Sequence, residues 1–357
     1  MMGVMKVLGI ESSCDETAAS VVEDGKRLLS NVVASSMDLH AQYGGVIPEI
    51  AARSHIEAIM PVVAQALSDA QCTWDDIDAI AVTYGAGLGG SLLIGVLTAR
   101  TLALLKKKPL YGINHVEAHV YANFLVDTSL SGYTLPLVQP SFPMLALIVS
   151  GGHSQLALFR DHFDYTLLGQ TQDDAIGEAF DKVAKILGLP YPGGPSVSRK
   201  ALEGNAQVFQ LPKARLEGKY DFSFSGLKTA VLRLAQEQVG KDFTLPSSAL
   251  PGLLNDHQKA DIAASFQRVA VETVIDKTLQ AYAEFQPKSV VIAGGAAANS
   301  ELRLQLAQRL PCPVNYTDPK LCTDNGAMVA TLGCFMVMRH QSMANPFALE
   351  IAPNLSM

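Results

Sequence analysis

The chain has 357 residues, 48% of them apolar, and a formal net charge of −7 from 27 Lys plus Arg against 34 Asp plus Glu; this suits about two domains with cores of their own and excludes a nucleic-acid binder that works through an overall basic surface. Five cysteines (Cys14, Cys72, Cys312, Cys322, Cys334) make an odd count without CxxC spacing, which is poor material for a disulfide framework or a structural zinc knot and points to a reducing compartment. The opening MMGVMKVLGIESSCDE turns polar by Glu11, and no apolar run approaches the roughly 20 residues of a bilayer crossing, so the expectation is a cytoplasmic protein with no membrane contact.

In chain order, KVLGIESSCDETAASVVEDGKRLLSNVVAS (6–35) reads as strand, polar turn, strand, short turn, strand, because apolar runs of strand length are broken by Ser, Asp and Gly. A helical pattern follows in SHIEAIMPVVAQALSDA (54–70), then a buried strand in IDAIAVTY, a helix in GGSLLIGVLTARTLALLKK and a strand in PLYGIN. Directly after it stands HVEAH, with His115 and His119 at i and i+4. On a helix those side chains lie one above the other, and two imidazoles so placed can clasp one cation. A zinc-protease helix needs its glutamate immediately after the first histidine, H-E-x-x-H, as general base. Here Val116 holds that position and Glu117 lies roughly 200° round the helix from His115, which argues against a protease but not against a metal. The spacing alone leaves the pair open between a metal clasp and two histidines each satisfied by a hydrogen-bond partner.

DTSLSGYTLPLVQPSFP is Pro-rich and aperiodic and reads as a connection. Beyond it, MLALIVSGGHSQLALFRDHFDYTLLGQT (144–171) repeats the opening order, with LIVSGGHSQLALF aligning on GIESSCDETAASVV. Helical patterns then run through DDAIGEAFDKVAKILG, HQKADIAASFQRVAVETVIDKTLQAYAEF and SELRLQLAQRL, with a buried strand in KSVVIAGG. The chain is therefore an α/β protein with an internal duplication, and each half has a mixed sheet because it begins with hairpin-linked strands. VSGGH (149–153) and AGGAAAN (293–299) both follow predicted strands, where ligands of open α/β sheets sit, and exposed backbone N–H groups in such turns suit phosphate. The one local cluster of cations, Lys213 to Arg233, reads as a solvated loop and helix face before it reads as an RNA-binding patch.

A duplicated three-strand opening of this kind resembles the actin, heat-shock-protein and sugar-kinase superfamily. That implies duplicated actin-like (ribonuclease-H-like) domains, with mixed sheets flanked by helices and a ligand cleft between them. The boundaries implied are 1–127 for the first domain with the metal-binding helix, 128–143 for the connection, 144–333 for the second domain with nucleotide-side contacts, and 334–357 for a segment packing back on the first. Taken in order, GIESSCDETAASVV, HVEAH, LIVSGGHSQL, DDAIGEAFDKVAKILGLPYPGGP, FSFSGLKTAV, IAGGAAANSELR and CTDNGAM closely resemble the tRNA adenosine threonylcarbamoyltransferase family, nearest its bacterial branch, over about residues 5 to 335.

The resemblance implies transfer of a threonylcarbamoyl group from threonylcarbamoyl-adenylate to the N6 amine of the adenosine beside the anticodon, in tRNAs reading ANN codons, with release of AMP. It implies one divalent metal, iron(II) or zinc, on His115, His119 and Asp324. It puts Ile148, Val149, Ser150, Gly151 and Gly152 on the phosphate and acyl part of the ligand, and Asp181, Gly194 and Asn299 on its adenosine side, so that AMP, ADP or ATP can also occupy the cleft. The partners implied are tRNA, a paralogous actin-like protein, a small ATPase, and an upstream enzyme that makes the adenylate. Two of these residues also have plain structural readings: Asp181 as an ion pair with Lys185 on a helix, and Asp324 in TDNG as a helix N-cap.

Asp15 and Glu16 fall in the first polar turn, where the superfamily's kinases keep the Asp that organises metal and phosphate, and Asp15 is the candidate for assisting transfer. SSCDE replaces the kinase Asp-x-Gly-Thr pattern, which disfavours an ATPase or small-molecule kinase, while the helix geometry disfavours the metalloprotease label the family once carried. A non-enzymatic scaffold would need no open metal site. One departure from the family pattern is GAGLGG, with Ala86 where the family has Pro, which frees φ there and is expected to loosen that turn.

Overall fold

The computed structural model describes residues 4–357 and divides into two units, one built from the chain up to Pro140 together with Asn315–Met357, the other from Ser141–Val314. The first opens as the sequence predicts: β1 (Lys6–Glu11), β2 (Glu16–Glu23) and β3 (Arg27–Ser35) form an antiparallel meander. It continues through α1 (Met37–Ala41), α2 (Pro48–Asp69), β4 (Ala79–Gly85), α3 (Gly89–Lys106), β5 (Leu110–Asn114), α4 (His115–Tyr121) and β6 (Asp127–Thr128). Helix α2 begins six residues earlier than SHIEAIM suggests, because Pro48 sits in its first turn, where the missing N–H costs nothing.

The second unit repeats the plan with β7 (Met144–Val149), β8 (Ser154–Asp161) and β9 (Asp164–Gln170) antiparallel. Then come α5 (Ile176–Leu187), α6 (Gly193–Ala201), α7 (Ser225–Gln238), α8 (Leu250–Leu253), α9 (Asp256–Phe285), β10 (Ser289–Ala293), α10 (Ser300–Arg309) and β11 (Val314–Tyr316). Helix α5 ends at Gly188 in the left-handed conformation, φ +69°, which glycine adopts without steric cost. The chain closes on α11 (Gly326–Met338), which belongs to the first unit. Strand orders are β5-β4-β1-β2-β3-β6 and β11-β10-β7-β8-β9. In both sheets the strand after the helical crossover, β4 or β10, adds parallel to the first strand of the meander, which is the duplication read from the sequence.

Side chains alternate across β1 and so assign its two faces. Leu8 and Ile10 join Val21, Ile80 and Val82 in a core closed by Ile59 and Val63 of α2 and by Val96 and Ala99 of α3. Gly9 faces the other way, onto α11: a Cβ there would stand 2.3 Å from the Gly326 carbonyl and 2.4 Å from the Ala330 nitrogen. The absent side chain lets the helix backbone lie directly on the strand. That approach sets the position of the residues just before α11.

One helix qualifies the expectation about membranes: α3 is 18 residues long with a mean hydropathy of 1.3, long and apolar enough to cross a bilayer by length and composition. It packs on β4 and beside α2, with Leu92, Val96, Ala99 and Ala103 buried. The segment after α11 runs along β4 and β5, where Ala352 N donates to Tyr84 O and Ala344 N to Leu110 O. Arg100 of α3 holds it through the carbonyls of Pro346 (2.5 Å), Phe347 (2.8 Å) and Leu349 (3.3 Å). All five cysteines are free thiols.

Candidate functional site

The histidine pair sits on a helix that begins at the histidine itself. Asn114, at the end of β5, is its N-cap, with Oδ1 accepting from Val116 N (2.9 Å) and Glu117 N (3.2 Å). His115 and His119 therefore stack one turn apart, ring centroids 4.7 Å from each other, and both are buried. Asp324 arrives on the segment leading into α11. The N-cap of that helix is Asn325, whose Oδ1 accepts from Met328 N at 2.9 Å, and not Asp324 as TDNG suggests. The cap falls one residue later, so the Asp324 carboxylate turns to the histidines: Oδ1 lies 3.2 Å from His119 Nε2 and 3.6 Å from His115 Nε2. One ligand atom from each of the three falls within 4.8 Å of the others, a donor set that fits a divalent cation.

Two features of the surroundings support that fit. His119 is 2% exposed, yet neither ring nitrogen has an aligned hydrogen-bond partner; the Asp324 contact is close without being aligned. A buried imidazole in that condition costs stability unless something else binds it. His115, by contrast, is held from behind, its Nδ1 3.1 Å from Ser13 Oγ and 3.3 Å from Glu11 Oε2, which leaves Nε2 facing Asp324. Glu11 is wholly buried and otherwise spent, accepting from Ser13 N and from Thr83 Oγ1, each at 2.5 Å. Burial alone would drive the His115 pKa down; the Asp324 and Glu11 carboxylates outweigh it and hold the ring up to about 9. The cluster thus attracts a positive charge to the place where a cation would sit. Glu117, on the opposite side of the helix, is pushed up to about 7 by burial and is not placed as a protease base would be.

The first turn brings further carboxylates toward this cluster. Burial, with Asp324 and Asp15 nearby, pushes Glu16 up to about 9, and Ser35 Oγ donates to it at 3.2 Å. Burial and the Asp15 and Asp324 charges likewise raise the Cys14 thiol, which keeps it protonated and unreactive. Ala86 is buried, and the amides that follow it are both taken, Gly87 N by Pro353 O (3.1 Å) and Leu88 N by Ser13 O (2.7 Å), so the turn without its proline is held from two sides.

In the second unit, β7 and β10 are paired with Ile148 opposite Ala293, which sets the two glycine turns side by side at the carboxyl ends of adjacent strands. Ile148 and Val149 are buried in the strand; Ser150 closes the turn by accepting from His153 N at 3.0 Å, and Gly151 and Gly152 stand exposed with open space around their Cα atoms. Gly294 (φ +88°) passes so close that a Cβ would meet Val149 O at 2.5 Å. Asp181 accepts from Gly193 N at 2.6 Å, so its carboxylate ties α5 to α6 instead of forming the ion pair with Lys185, and Gly194 beside it is open. Asn299 caps α10 through Leu302 N (2.9 Å) while its amide donates to Ser198 Oγ (3.0 Å) and Gln267 Oε1 (3.1 Å). The cations of 213–233 are mostly neutralised internally: Lys213 by Glu272 and Asp276, Lys219 by Glu284, and Lys228 by Asp174. That stretch is a paired surface and not a free basic patch.

Sequence reasoning missed Glu11, Ser13 and Thr83 as the support behind His115. Glu11 carried a signal, being a charge that ends an otherwise apolar strand, and Asn114 another, as an N-cap residue directly before the histidines.

Known proteins bear on this geometry as follows. A family model described as TsaD, tRNA N6-adenosine threonylcarbamoyltransferase, matches residues 27–331. A protein of that name from Thermomicrobium roseum is 49% identical over 346 residues, covering 94% of this chain and 93% of its own. Another, from Dehalococcoides mccartyi, is 45% identical and covers 99% of both chains. Among solved structures, HypF of T. kodakarensis superposes with a TM-score of 0.57 over 94% of this chain and 48% of its own at 13% identity, a likeness of fold alone.

Proposed function

The chain belongs to the tRNA N6-adenosine threonylcarbamoyltransferase family and is a transferase that modifies tRNA, and from that premise we propose that His115, His119 and Asp324 form its metal centre. The observation that carries this reading is His119, buried with both ring nitrogens unsatisfied beside a carboxylate. The donor is threonylcarbamoyl-adenylate and the acceptor is the N6 amine of the adenosine next to the anticodon in tRNAs reading ANN codons. The amine nitrogen bonds to the carbamoyl carbon, the bond from that carbon to the phosphate oxygen breaks, AMP leaves with the electron pair, and the amine gives up a proton.

An adenine amine is a poor nucleophile, because its lone pair is delocalised into the ring, so activation falls on the donor and on positioning. A divalent cation, iron(II) or zinc, held by two histidines and one carboxylate keeps coordination positions open and would supply Lewis acidity toward a phosphate or carbonyl oxygen. Glu11 would hold a proton on His115 Nδ1, and with it the orientation of the ring. Asp15 would take up the amine proton, since its neighbour Glu16, pushed up to about 9, already holds one. Backbone N–H groups of Gly151 and Gly152 suit the phosphate and acyl part, Ser150 N being spent on the His153 carbonyl at 2.8 Å, and the open surface at Gly194 admits an adenosine. The tied side chains of Asp181 and Asn299 give them the task of shaping that surface before contacting ligand.

For partners beyond tRNA, the paralogous actin-like subunit fits the outer face of α2 and α3, where Ile56, Met60, Leu93 and Leu97 are exposed at helical spacing. The small ATPase and the adenylate-forming enzyme complete the cycle, and a tRNA substrate fits a cytoplasmic setting. The test is transfer of labelled threonine into unmodified tRNA, with adenylate and bacterial partner proteins supplied, with and without this chain. Label that depends on the chain and is lost after chelation is expected. Label that survives complete metal removal would overturn the metal centre, and ATP turnover without tRNA in place of label would overturn the transferase reading.

A further inference from the structure

The turn between β1 and β2 carries Asp15 and Glu16, and four donors hold two of its carbonyls. Cys14 O accepts from His55 Nε2 at 3.0 Å and from Ser91 Oγ at 3.1 Å. The next carbonyl, of Asp15, accepts twice from Ser36, from its backbone N at 3.0 Å and its Oγ at 2.8 Å. Behind these bonds stand two imidazoles, His55 on α2 and His40 on α1, both 0% exposed, so water does not replace either.

The direction of each bond follows from its partners. A carbonyl oxygen only accepts, so the proton of His55 is on Nε2, and in the neutral ring Nδ1 accepts from the Thr17 hydroxyl at 2.7 Å. Burial holds this ring below the ordinary histidine pKa and so keeps it neutral. His40 is fixed from its other end. Ile47 N donates to Nδ1 at 3.2 Å, which leaves Nε2–H for Ser36 Oγ at 3.1 Å and the Ser36 hydroxyl proton for Asp15 O. His55 bonds residue 14 on one side and residue 17 on the other, so its rigid ring spans the two acidic residues between them.

We propose that His55 and His40 are positioning residues which, through Cys14, Thr17 and Ser36, fix where the Asp15 and Glu16 carboxylates point. The inference rests on the reading that this turn assists the transfer. Its force comes from the small tolerance of such chemistry: a shift of about 1 Å in a reacting group can cost about a hundredfold in rate.

Three variants in the complete system, with metal, tRNA and partner proteins, test it. His55→Leu keeps the volume and removes both ring bonds; His55→Gln returns an amide N–H toward Cys14 O; Asp15→Asn probes the turn itself. Single-turnover transfer, KM for the adenylate, metal content and Tm are read for each. The expected result is a fall of about tenfold or more in rate for His55→Leu, with KM within about twofold and metal content unchanged, most of the rate restored in His55→Gln, and a loss in Asp15→Asn. Wild-type transfer by His55→Leu, or no recovery in His55→Gln at an equal folded fraction, overturns the proposal while a loss in Asp15→Asn leaves the reading of the turn standing. Wild-type transfer by Asp15→Asn sinks that reading and the proposal with it. If His55→Leu does not fold, Ser36→Ala probes the second chain of bonds, with a loss of about threefold to tenfold expected and none overturning. Ring-nitrogen NMR supplies the structural arm: both rings should carry a proton on Nε2, with His55 Nδ1 bare, and the other tautomer in either ring refutes the wiring.

Discussion

Glu11→Gln alters hydrogen-bond direction behind His115 and little else. The native carboxylate accepts three times, from Ser13 N, from Thr83 Oγ1 and, 3.3 Å away, from His115 Nδ1. Glutamine offers one accepting oxygen. If that oxygen keeps the Ser13 amide, the NH2 group faces Thr83 and His115. The hydroxyl can rotate to accept, but Nδ1 can accept only by giving up its proton, which moves the tautomer to Nε2–H and points a hydrogen at the position the cation needs. If His115 resists, a donor faces a donor at a carboxamide that is wholly buried. Either way metal affinity should fall by about tenfold to a hundredfold, or about 1.4–2.7 kcal/mol. Titration of the metal-free protein with zinc against a competing chelator measures this directly, with circular dichroism to confirm the fold. Wild-type affinity in a folded Glu11→Gln protein would refute the argument that Glu11 sets the tautomer, and so would loss of secondary structure as the whole effect.

Three further outcomes follow from geometry elsewhere. Gly294→Ala places a Cβ 2.5 Å from Val149 O at φ +88°, so urea unfolding should show a loss of about 2 kcal/mol or more. Burial would raise the Asp174 pKa, but bonds from Lys182 (2.7 Å) and Lys228 (2.9 Å) outweigh it and hold the group below its ordinary 3.8. A depressed carboxylate contributes stability that is fully present above the unfolded value and drains away as pH falls through the folded one, so wild type should lose stability below about pH 4 more steeply than Asp174→Asn. Arg100→Ala removes the donors to three carbonyls of the segment after α11, which should cost about 2 kcal/mol and bring proteolytic cleavage between residues 344 and 357 at protease levels that leave wild type whole.

The duplicated sheets were legible because strands buried on both faces, such as MLALIV, leave apolar runs of a length only a strand explains. Helices with an amphipathic period, such as α5, were legible too, whereas α6 opens with Gly-Gly-Pro, which reads as a turn, and α11 is apolar all round and has no period to read. The histidine pair was visible from its spacing, whereas its partner came only from the family resemblance and not from any local pattern. Asp324 is remote in sequence, and one residue decides whether TDNG caps the helix with its Asp or its Asn; the close seating of α11 over Gly9, a tertiary matter, is what the local pattern lacks. The support behind His115 was hidden for the same reason, since Glu11, Ser13 and Thr83 come from separate segments and carry no shared motif.

Because α11 and Asp324 return to the first unit only after Ser141–Val314 has been traversed, the second unit is in effect an insertion within the first. On the ribosome the two units then mature in an order opposite to their start in the chain. The inserted unit is contiguous and can fold as it emerges, while the first sheet waits for the helix that covers β1. At ordinary elongation rates His115 and His119 are made roughly ten to forty seconds before the Asp324 carboxylate that lies against them in the folded chain. The metal centre proposed above would therefore be complete only once α11 docks on β1.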